Sequence, residues 1–342
     1  MTADVRASVR EVAASIFAAA DMNGDGFDAT SWDRLEAAGF TLLTVPSDAG
    51  GSGADLNLAA AVLFEAGARA ARVPLAETDL AGWLLAAAGI PPPAGPLAAV
   101  EHDADISRSG DGWRIRAELT GVPWADCAGG IAVLTPRRVV LVDSYRVTPG
   151  SNLAGEPRDT VVIDGVVGGD AIAGADGTVL GHELRLRAAL ARAQLLAGAL
   201  QATLGAAIGY AGERVQFGRP IASFQAVQQE LAIAAGEVAA ASTAAEAAAG
   251  SATRAGVTAE ASVTAIASAK ARASEAAGTV ASIAHQVHGA IGFTREHHLR
   301  VLTTRLWAWR DEDGSDAYWN GVIGARALRL GPAGLWPMLT GT

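Results

Sequence analysis

The spacing of hydrophobic and polar residues divides the chain into three segments. From about residue 6 to residue 90, apolar residues recur at helical spacing. Between about residues 98 and 172 the pattern changes to short runs of β-branched residues separated by Gly, Pro and Asp turns. The helical period then returns and continues to the end of the chain. The pattern predicts three domains: a helical domain (1–97), a β domain (98–181) and a helical bundle (182–342).

Individual elements can be predicted within the last two segments. Four strands are expected in the β domain, at 113–119, 130–135, 139–142 and 160–163. Four long helices are expected in the bundle, at about 182–214, 223–250, 258–289 and 296–328. Four helices of this length make a four-helix bundle. The predicted fold class is therefore mainly α with a small β domain.

Composition supports a helical core and argues against some partners. Half of the 342 residues are hydrophobic but only 5% are aromatic, and alanine dominates, which favours closely packed helices. The formal net charge is −10 and the sequence pI is about 5.1, with no stripe of basic residues. We therefore expect no nucleic-acid partner.

The cysteine content and the apolar segments indicate a cytoplasmic location. Cys127 is the only cysteine, so no disulfide framework is expected and the chain is typical of a reducing compartment. The first residues carry charges and lack the form of a signal peptide. Apolar stretches such as 195–209 are interrupted by polar residues before reaching about 20 residues, so we expect no membrane span.

The segment 210–225, Tyr-Ala-Gly-Glu-Arg-Val-Gln-Phe-Gly-Arg-Pro-Ile-Ala-Ser-Phe-Gln, joins two predicted helices through a sharp turn. Gly218 permits the bend and Pro220 is expected to open the following helix. Arg214, Gln216 and Gln225 place hydrogen-bond donors around the turn. Such donors suit a pyrophosphate, although the segment on its own is better explained as a plain helix hairpin.

Two further motifs stand in a fixed order around this turn. Residues 32–46 end in Val-Pro and are followed by Gly50-Gly51-Ser-Gly53, and residues 286–296 read Gln-Val-His-Gly-Ala-Ile-Gly-Phe-Thr-Arg-Glu. Together with Arg214-Val-Gln-Phe217-Gly218, these motifs resemble the acyl-CoA dehydrogenase family through most of the chain. The resemblance implies an N-terminal helical domain, a middle β-barrel-like domain and a C-terminal four-helix bundle.

The resemblance also implies a cofactor and its contacts. In that family FAD lies at a dimer interface, and the Arg-x-x-Phe-Gly turn of one subunit reaches the adenosine diphosphate bound mainly by its neighbour. Arg214 would then pair with the pyrophosphate and Phe217 would pack near the adenosine, unless Arg214 makes only a capping or interface salt bridge. The remaining residues implied for the cofactor wall are Gln216, Phe224, Gln225, Gln286 and Gly289.

The family's reaction requires a carboxylate that removes the proton next to a thioester carbonyl. Counting from Gly292-Phe293, the matching position is Asp313, where many members have Glu, and Glu312 is the alternative in register. Other members place the base near the start of the first bundle helix, where this chain offers only Glu183, slightly early. The alternative interpretation is that residues 311–313 form a solvated acidic turn capped by Gly314.

One family feature is missing. At the position of the family's Thr-Glu-Pro-x-x-Gly-Ser-Asp segment, which faces the flavin ring and the acyl chain, residues 99–108 show no such pattern. This chain keeps the motifs implied for nucleotide binding but lacks the segment that faces the flavin ring. In this it resembles the smaller subunits of actinobacterial heteromeric acyl-CoA dehydrogenases, several of which act on sterol-derived CoA esters. The implied partner is a larger homologue, in a homo- or hetero-oligomer built as a dimer of dimers.

Three functions remain open at this point. The chain carries out α,β-desaturation of an acyl-CoA, with its own base or a partner's; it is a non-catalytic assembly subunit; or the fold serves another flavin-dependent oxidation. Metal sites are not expected. The Asp21–Gly26 run resembles the start of an EF-hand loop but has Trp32 where a bidentate Glu is required, and the histidines at 285, 288, 297 and 298 have no cysteine beside them.

Overall fold

The computed structural model describes residues 3–18, 20, 22, 24, 26–294 and 297–340. Within them the first four α-helices are α1 (Ala3–Ala18), α2 (Ala29–Ala37), α3 (Leu56–Ala68) and α4 (Leu75–Ala87). Eight strands follow: β1 (Leu97–Glu101), β2 (Asp105–Ser109), β3 (Gly112–Pro123), β4 (Gly130–Leu134), β5 (Arg138–Val142), β6 (Arg146–Thr148), β7 (Arg158–Val167) and β8 (Ile172–Gly174). The remaining elements are α5 (Gly177–Glu213), β9 (Val215–Gln216), β10 (Arg219–Pro220), α6 (Gln225–Ala255), α7 (Glu260–His288), α8 (Leu299–Trp309) and α9 (Asp316–Thr340).

The predicted fold class, mainly α with a small β domain, is confirmed. The four predicted strands correspond to β3, β4, β5 and β7, and the first three bundle helices to α5, α6 and α7. The prediction of one continuous helix over 296–328 is wrong, because a turn divides α8 from α9. Asp313 and Gly314 adopt left-handed φ angles of 56° and 93°, which an α-helix cannot contain.

The strands form two four-stranded sheets that enclose one apolar core. Their orders are β1-β4-β5-β8 and β2-β3-β7-β6, and β1 pairs with β4 in parallel, with Leu97 opposite Gly130. Buried residues of both sheets, among them Ile115, Val133 and Ile163, share this core. Trp124, directly after β3, is also buried.

By its internal contacts the chain divides into two compact units. One comprises Met1–Gly24, Ala60–Ala71 and Ala189–Thr342, and the other Asp25–Ala59 and Arg72–Ala188. In the first unit α7 packs against α6, α8 and α9 and is buried along much of its length. The three-domain division by sequence position stays a prediction.

Two helices of the described residues, α5 and α6, are long and apolar enough to cross a membrane by length and composition alone. More than half of the most apolar part of α5 is buried inside the structure, as in a core helix. Length and composition are thus weak evidence for a span here.

A close helix contact supports the first unit. An added Cβ at Gly198 of α5 would lie 1.9 Å from the backbone oxygen of Phe64 in α3, and one at Gly67 of α3 would lie 2.1 Å from the backbone oxygen of Leu195. Neither backbone can give way as a flexible side chain would. The two helices therefore pack closely through glycine.

We expect Gly198→Ala to destabilise the protein by about 3 kcal/mol, because the new methyl group forces the two helix backbones apart. The measurement is the free energy of unfolding in denaturant. Gly205→Ala on the same helix is the matched control, since no atom lies within 4 Å of its added Cβ. The control should be neutral or slightly stabilising, because alanine has a higher helix propensity than glycine. An equal loss of unfolding free energy in both variants would contradict the close contact.

Candidate flavin-binding site

After α5 the chain forms a short β-hairpin, β9–β10, with a two-residue loop. Gln216 pairs with Arg219 across β9 and β10, and the backbone N–H of Ile221 donates to the carbonyl of Arg214 at 2.8 Å. The turn residues Phe217 and Gly218 both have positive φ, 52° and 81°, as a type I′ turn requires. Glycine adopts this conformation without cost, whereas Phe217 is strained by about 1–2 kcal/mol.

Pro220 does not open the following α-helix as predicted. It ends β10 and precedes a 3-10 turn at Ile221–Ser223, and α6 begins only at Gln225. The reason lies in the backbone of Phe224, which is extended and separates the turn from the helix. The corner is therefore longer than the sequence indicates.

Two aromatic residues and an arginine form the outer surface of this corner. The Phe217 ring is 91% exposed and lies edge-on to Phe224, with ring centroids 6.1 Å apart. The Arg219 guanidinium carbon lies 4.3 Å above the Phe224 ring. A strained backbone that presents an exposed aromatic ring is a combination that folding alone does not favour, and it points to function.

A groove of about 490 Å³ lies beside the hairpin. It is lined by the hairpin, by the first turns of α6 and by the end of α7, including Gln216, Phe217, Ile221, Phe224, Gln286 and Val287. Four of the seven residues predicted for the cofactor are thus brought together. Gln229 and Glu230 also line the groove and supply acceptors for hydroxyl or amino groups. These two, with Ile221 and Val287, were missed by the sequence prediction.

The three other predicted residues flank the groove. Gln225 is the first residue of α6, and Gly289 ends α7 with φ 64° and donates its N–H to the carbonyl of His285. The Arg214 side chain is exposed and makes no ion pair or hydrogen bond to any described residue. Its guanidinium is therefore available to an anion, and the capping or salt-bridge alternative finds no partner within the described part of the chain.

His285 and His288, near the end of α7, pack against aromatic rings. His288 stacks on Tyr210 at 4.4 Å, and His285 stacks on Phe293 at 4.2 Å while its Nε2 shares a hydrogen bond of 2.9 Å with Thr303. Both residues are buried, so neither imidazole faces solvent. Burial lowers the pKa of His285 and of His288 and favours neutral rings.

The described residues contain no group of three or more His, Cys, Asp or Glu side chains able to hold a metal ion. The run that resembles the start of an EF-hand loop includes Asp21, Asn23 and Asp25, which lie outside the described residues.

Asp313 lies in the turn between α8 and α9 and not among the residues of the groove. Its Oδ2 accepts a hydrogen bond of 2.8 Å from Nε of Arg192, and Glu312 pairs with Nη2 of the same arginine at 3.2 Å. The Arg192 side chain is only 8% exposed, whereas the Asp313 side chain is 29% exposed. The two carboxylates are thus held by a buried cation, and the turn is more than a solvated acidic loop.

The backbone of this turn is fixed as well. Nε1 of Trp319 donates to the carbonyl of Asp313 at 2.9 Å, and an added Cβ at Gly314 would lie 2.5 Å from that nitrogen. The other candidate carboxylate, Glu183, forms an ion pair with Arg187, which lies one turn further along α5. Its Oε1 is 2.8 Å from Nη2 of Arg187. Of the candidate bases, only Asp313 combines partial exposure with a strained, fixed backbone.

Because the Phe217 side chain contacts little protein, its replacement separates backbone strain from ring contacts. We expect Phe217→Asn to raise the free energy of unfolding of the isolated chain by about 1 kcal/mol, since Asn tolerates the left-handed region. Phe217→Ala keeps the strain and should bring no such gain. Denaturant unfolding of both variants measures the difference; a loss of stability in Phe217→Asn would contradict the strain.

Comparison with known proteins agrees with this geometry. Residues 184–328 match the acyl-CoA dehydrogenase C-terminal domain and residues 1–91 match the acyl-CoA dehydrogenase N-terminal domain. The acyl-CoA dehydrogenase IpdE2 of Mycolicibacterium smegmatis is 31% identical over 283 residues, which cover 82% of each chain. IpdE2 of Mycobacterium tuberculosis is 30% identical over 325 residues, covering 88% of this chain and 90% of the relative.

Solved structures show the same fold. A chain of the ChsE4-ChsE5 complex from Mycobacterium tuberculosis superposes with a TM-score of 0.85 at 24% identity, covering 97% of this chain and 99% of that one. Butyryl-CoA dehydrogenase from Megasphaera elsdenii superposes with a TM-score of 0.85 at 16% identity, covering 96% and 99%. The matched domains and the level of identity to curated relatives show that this chain belongs to the acyl-CoA dehydrogenase family.

Proposed function

We propose that this chain is an FAD-binding subunit of an oligomeric acyl-CoA dehydrogenase that desaturates the α,β bond of a CoA thioester. The observation that carries the proposal is the groove at the first corner of the bundle, where Gln216, Phe217, Phe224 and Gln286 meet beside the exposed Arg214. Family membership supports the reaction class. Bound flavin supplies the hydride acceptor.

The residues of the corner fit the adenosine diphosphate half of FAD. The Arg214 guanidinium offers two parallel donors to phosphate oxygens. The Phe217 and Phe224 rings provide apolar faces for an adenine, and the Gln286 amide can both donate and accept. Phe217, which lines the groove, is almost fully exposed, and this exposure supports a nucleotide shared with another subunit rather than enclosed by this one.

Asp313 is the proposed base of this chain. Removing a proton from the carbon beside the thioester carbonyl requires a carboxylate, and Oδ2 of Asp313 is held 2.8 Å from Nε of Arg192. The same ion pair also favours a second candidate, in which Asp313 is structural and a partner supplies the base. A carboxylate must leave the guanidinium, or share it, before it can take a proton.

The finer parts of the proposal concern the partner and the substrate. Structural neighbours include the ChsE4-ChsE5 complex and a Tcur3481-Tcur3483 protein described as a steroid acyl-CoA dehydrogenase. By this likeness we propose that the chain forms a hetero-oligomer with a larger homologue and that this complex acts on a sterol-derived CoA ester. We propose a cytoplasmic location for it. A non-catalytic assembly subunit and another flavin-dependent oxidation are the competing functions.

The test is co-expression with a larger homologue, followed by flavin absorbance and by anaerobic addition of CoA thioesters. We expect one flavin per pair of chains, a colourless preparation of this chain by itself, and loss of the oxidised flavin absorbance on adding substrate. A flavin that no CoA thioester reduces would contradict desaturation. A complex whose flavin content is unaffected by removing the Arg214 side chain would support the assembly role instead.

A further inference from the structure

Lys270, in the middle of α7, is the only lysine of the 342-residue sequence; every other residue of the Lys+Arg total of 26 is arginine. Its side chain is fully buried. Lysine is almost never fully buried unless its charge is compensated. A chain that uses arginine everywhere else thus keeps one lysine at a position where it is costly.

All three donors of the Lys270 ammonium are used. Nζ donates to Oγ of Ser274 at 2.9 Å, to the carbonyl of Arg310 at 2.9 Å and to the carbonyl of Gly314 at 2.7 Å. The Ser274 hydroxyl also donates to the Arg310 carbonyl, at 3.0 Å. The two carbonyls stand at the two ends of the turn that carries Asp313.

The charges around the ammonium belong to the same turn and to α5. Burial is the main cause that lowers the pKa of Lys270 to about 8, and Asp313 opposes this shift while Arg192 adds to it. Asp311 and Glu312 act in the same direction as Asp313. The lysine and the three acidic residues of the turn are therefore electrostatically linked as well as joined by hydrogen bonds.

We propose that Lys270 is a positioning residue that closes the turn 310–314 and thereby sets the direction of the Asp313 carboxylate. The inference rests on the proposed role of Asp313 as base. Two carbonyls four residues apart are drawn to one nitrogen, which closes the turn and supports the left-handed φ of Asp313. A compact ammonium with three rotatable donors suits three acceptors, whereas the planar guanidinium of arginine does not.

The test compares steady-state kinetics of the holo-complex for Lys270→Met and wild type. Met has a similar length but no donors, so the turn loses its closure. We expect kcat to fall about 10- to 100-fold, as for a catalytic group misplaced by about 1 Å, with KM within about twofold and FAD content unchanged. Ser274→Ala, which keeps the lysine, should lower kcat about threefold to tenfold and serves if Lys270→Met does not fold.

Arg272→Met is the matched control. It removes one positive charge two residues along α7, where the arginine pairs with Glu237 and Glu275 and does not contact the turn. We expect its kcat to stay within about twofold of wild type. A loss as large as that of Lys270→Met would assign the effect to charge in general and overturn the proposal.

Asp313→Asn, measured in parallel, separates the two ways in which the inference can fail. If Asp313→Asn keeps the wild-type kcat, the proposed base is wrong, and the inference falls with it. If Asp313→Asn is inactive but the Lys270 and Ser274 variants turn over at the wild-type rate, only the positioning role is overturned. If the folded Lys270 and Ser274 variants lose FAD, or if their KM rises in proportion to the fall in kcat, the positioning role is likewise overturned. Lys270 would then only stabilise the fold.

Discussion

Asp313→Asn is expected to lower the kcat of the holo-complex by about 1,000-fold, within the range for loss of a general base. The amide keeps the size of the side chain and can still contact Arg192, so the turn should fold. FAD content and KM should change little, because the carboxylate acts in the proton transfer and not in holding the cofactor. Anaerobic flavin reduction by substrate in single-turnover experiments is the direct measurement.

Glu312→Gln is the matched control for this variant. Glu312 pairs with the same guanidinium of Arg192 and precedes Asp313 in the turn, so the substitution removes an equivalent charge. Its rate should stay within about threefold of wild type if Asp313 is the base. Should Glu312→Gln be inactive and Asp313→Asn active, the register alternative is correct.

Two other results would change the assignment of the base or of the reaction. A wild-type rate of flavin reduction in Asp313→Asn would contradict the proposal that Asp313 is the base. It would favour a base supplied by the partner subunit. Unchanged turnover with continued oxygen consumption would favour a different flavin chemistry that needs no α-proton base. Each result leaves the nucleotide groove to be tested separately.

Arg214→Ala is expected to weaken FAD binding to the complex by about 100-fold. Hydrogen bonds to charged groups contribute about 1.5–3 kcal/mol, and about 2.7 kcal/mol corresponds to a factor of 100. Because the described residues offer this side chain no other partner, its removal should not unfold the bundle. The measurement is the Kd of FAD for the apo-complex by fluorescence or calorimetry.

Two variants calibrate this effect. Arg214→Lys keeps the charge but loses the planar pair of donors, so an intermediate loss of affinity is expected. Arg254→Ala removes an exposed arginine at the far end of α6 and should leave the Kd unchanged. Equal Kd values for wild type and Arg214→Ala would contradict a diphosphate contact and favour the assembly role.

The sharp turn after α5 was predictable, unlike its hairpin pairing, because the residues that indicate it are close together in sequence. Gly218 marks a backbone bend, and Arg214, Phe217 and Gln225 lie within a dozen residues of one another. The groove's second wall was predictable only in part: Gln286 came from a family motif, whereas Val287 faces the groove because of how α7 packs. Packing of distant helices cannot be read from spacing along one segment.

The turn after α8 shows a different limit of sequence prediction. Its acidic residues suggested a turn within a helical pattern, but the apolar spacing on both sides concealed the helix break. What holds the break is non-local: Lys270 is about 40 residues away and Arg192 about 120. The single lysine was visible in the sequence, yet only the structure shows that its ammonium joins the two ends of the turn.

The most direct test of the nucleotide site uses FAD carrying a photoreactive azide on the adenine, bound to the complex and irradiated. We predict covalent adducts in peptides of this chain that contain Phe217, Phe224 or Gln286, and their loss in Arg214→Ala. Adducts confined to residues outside the groove, in this chain or in its partner, would contradict the account.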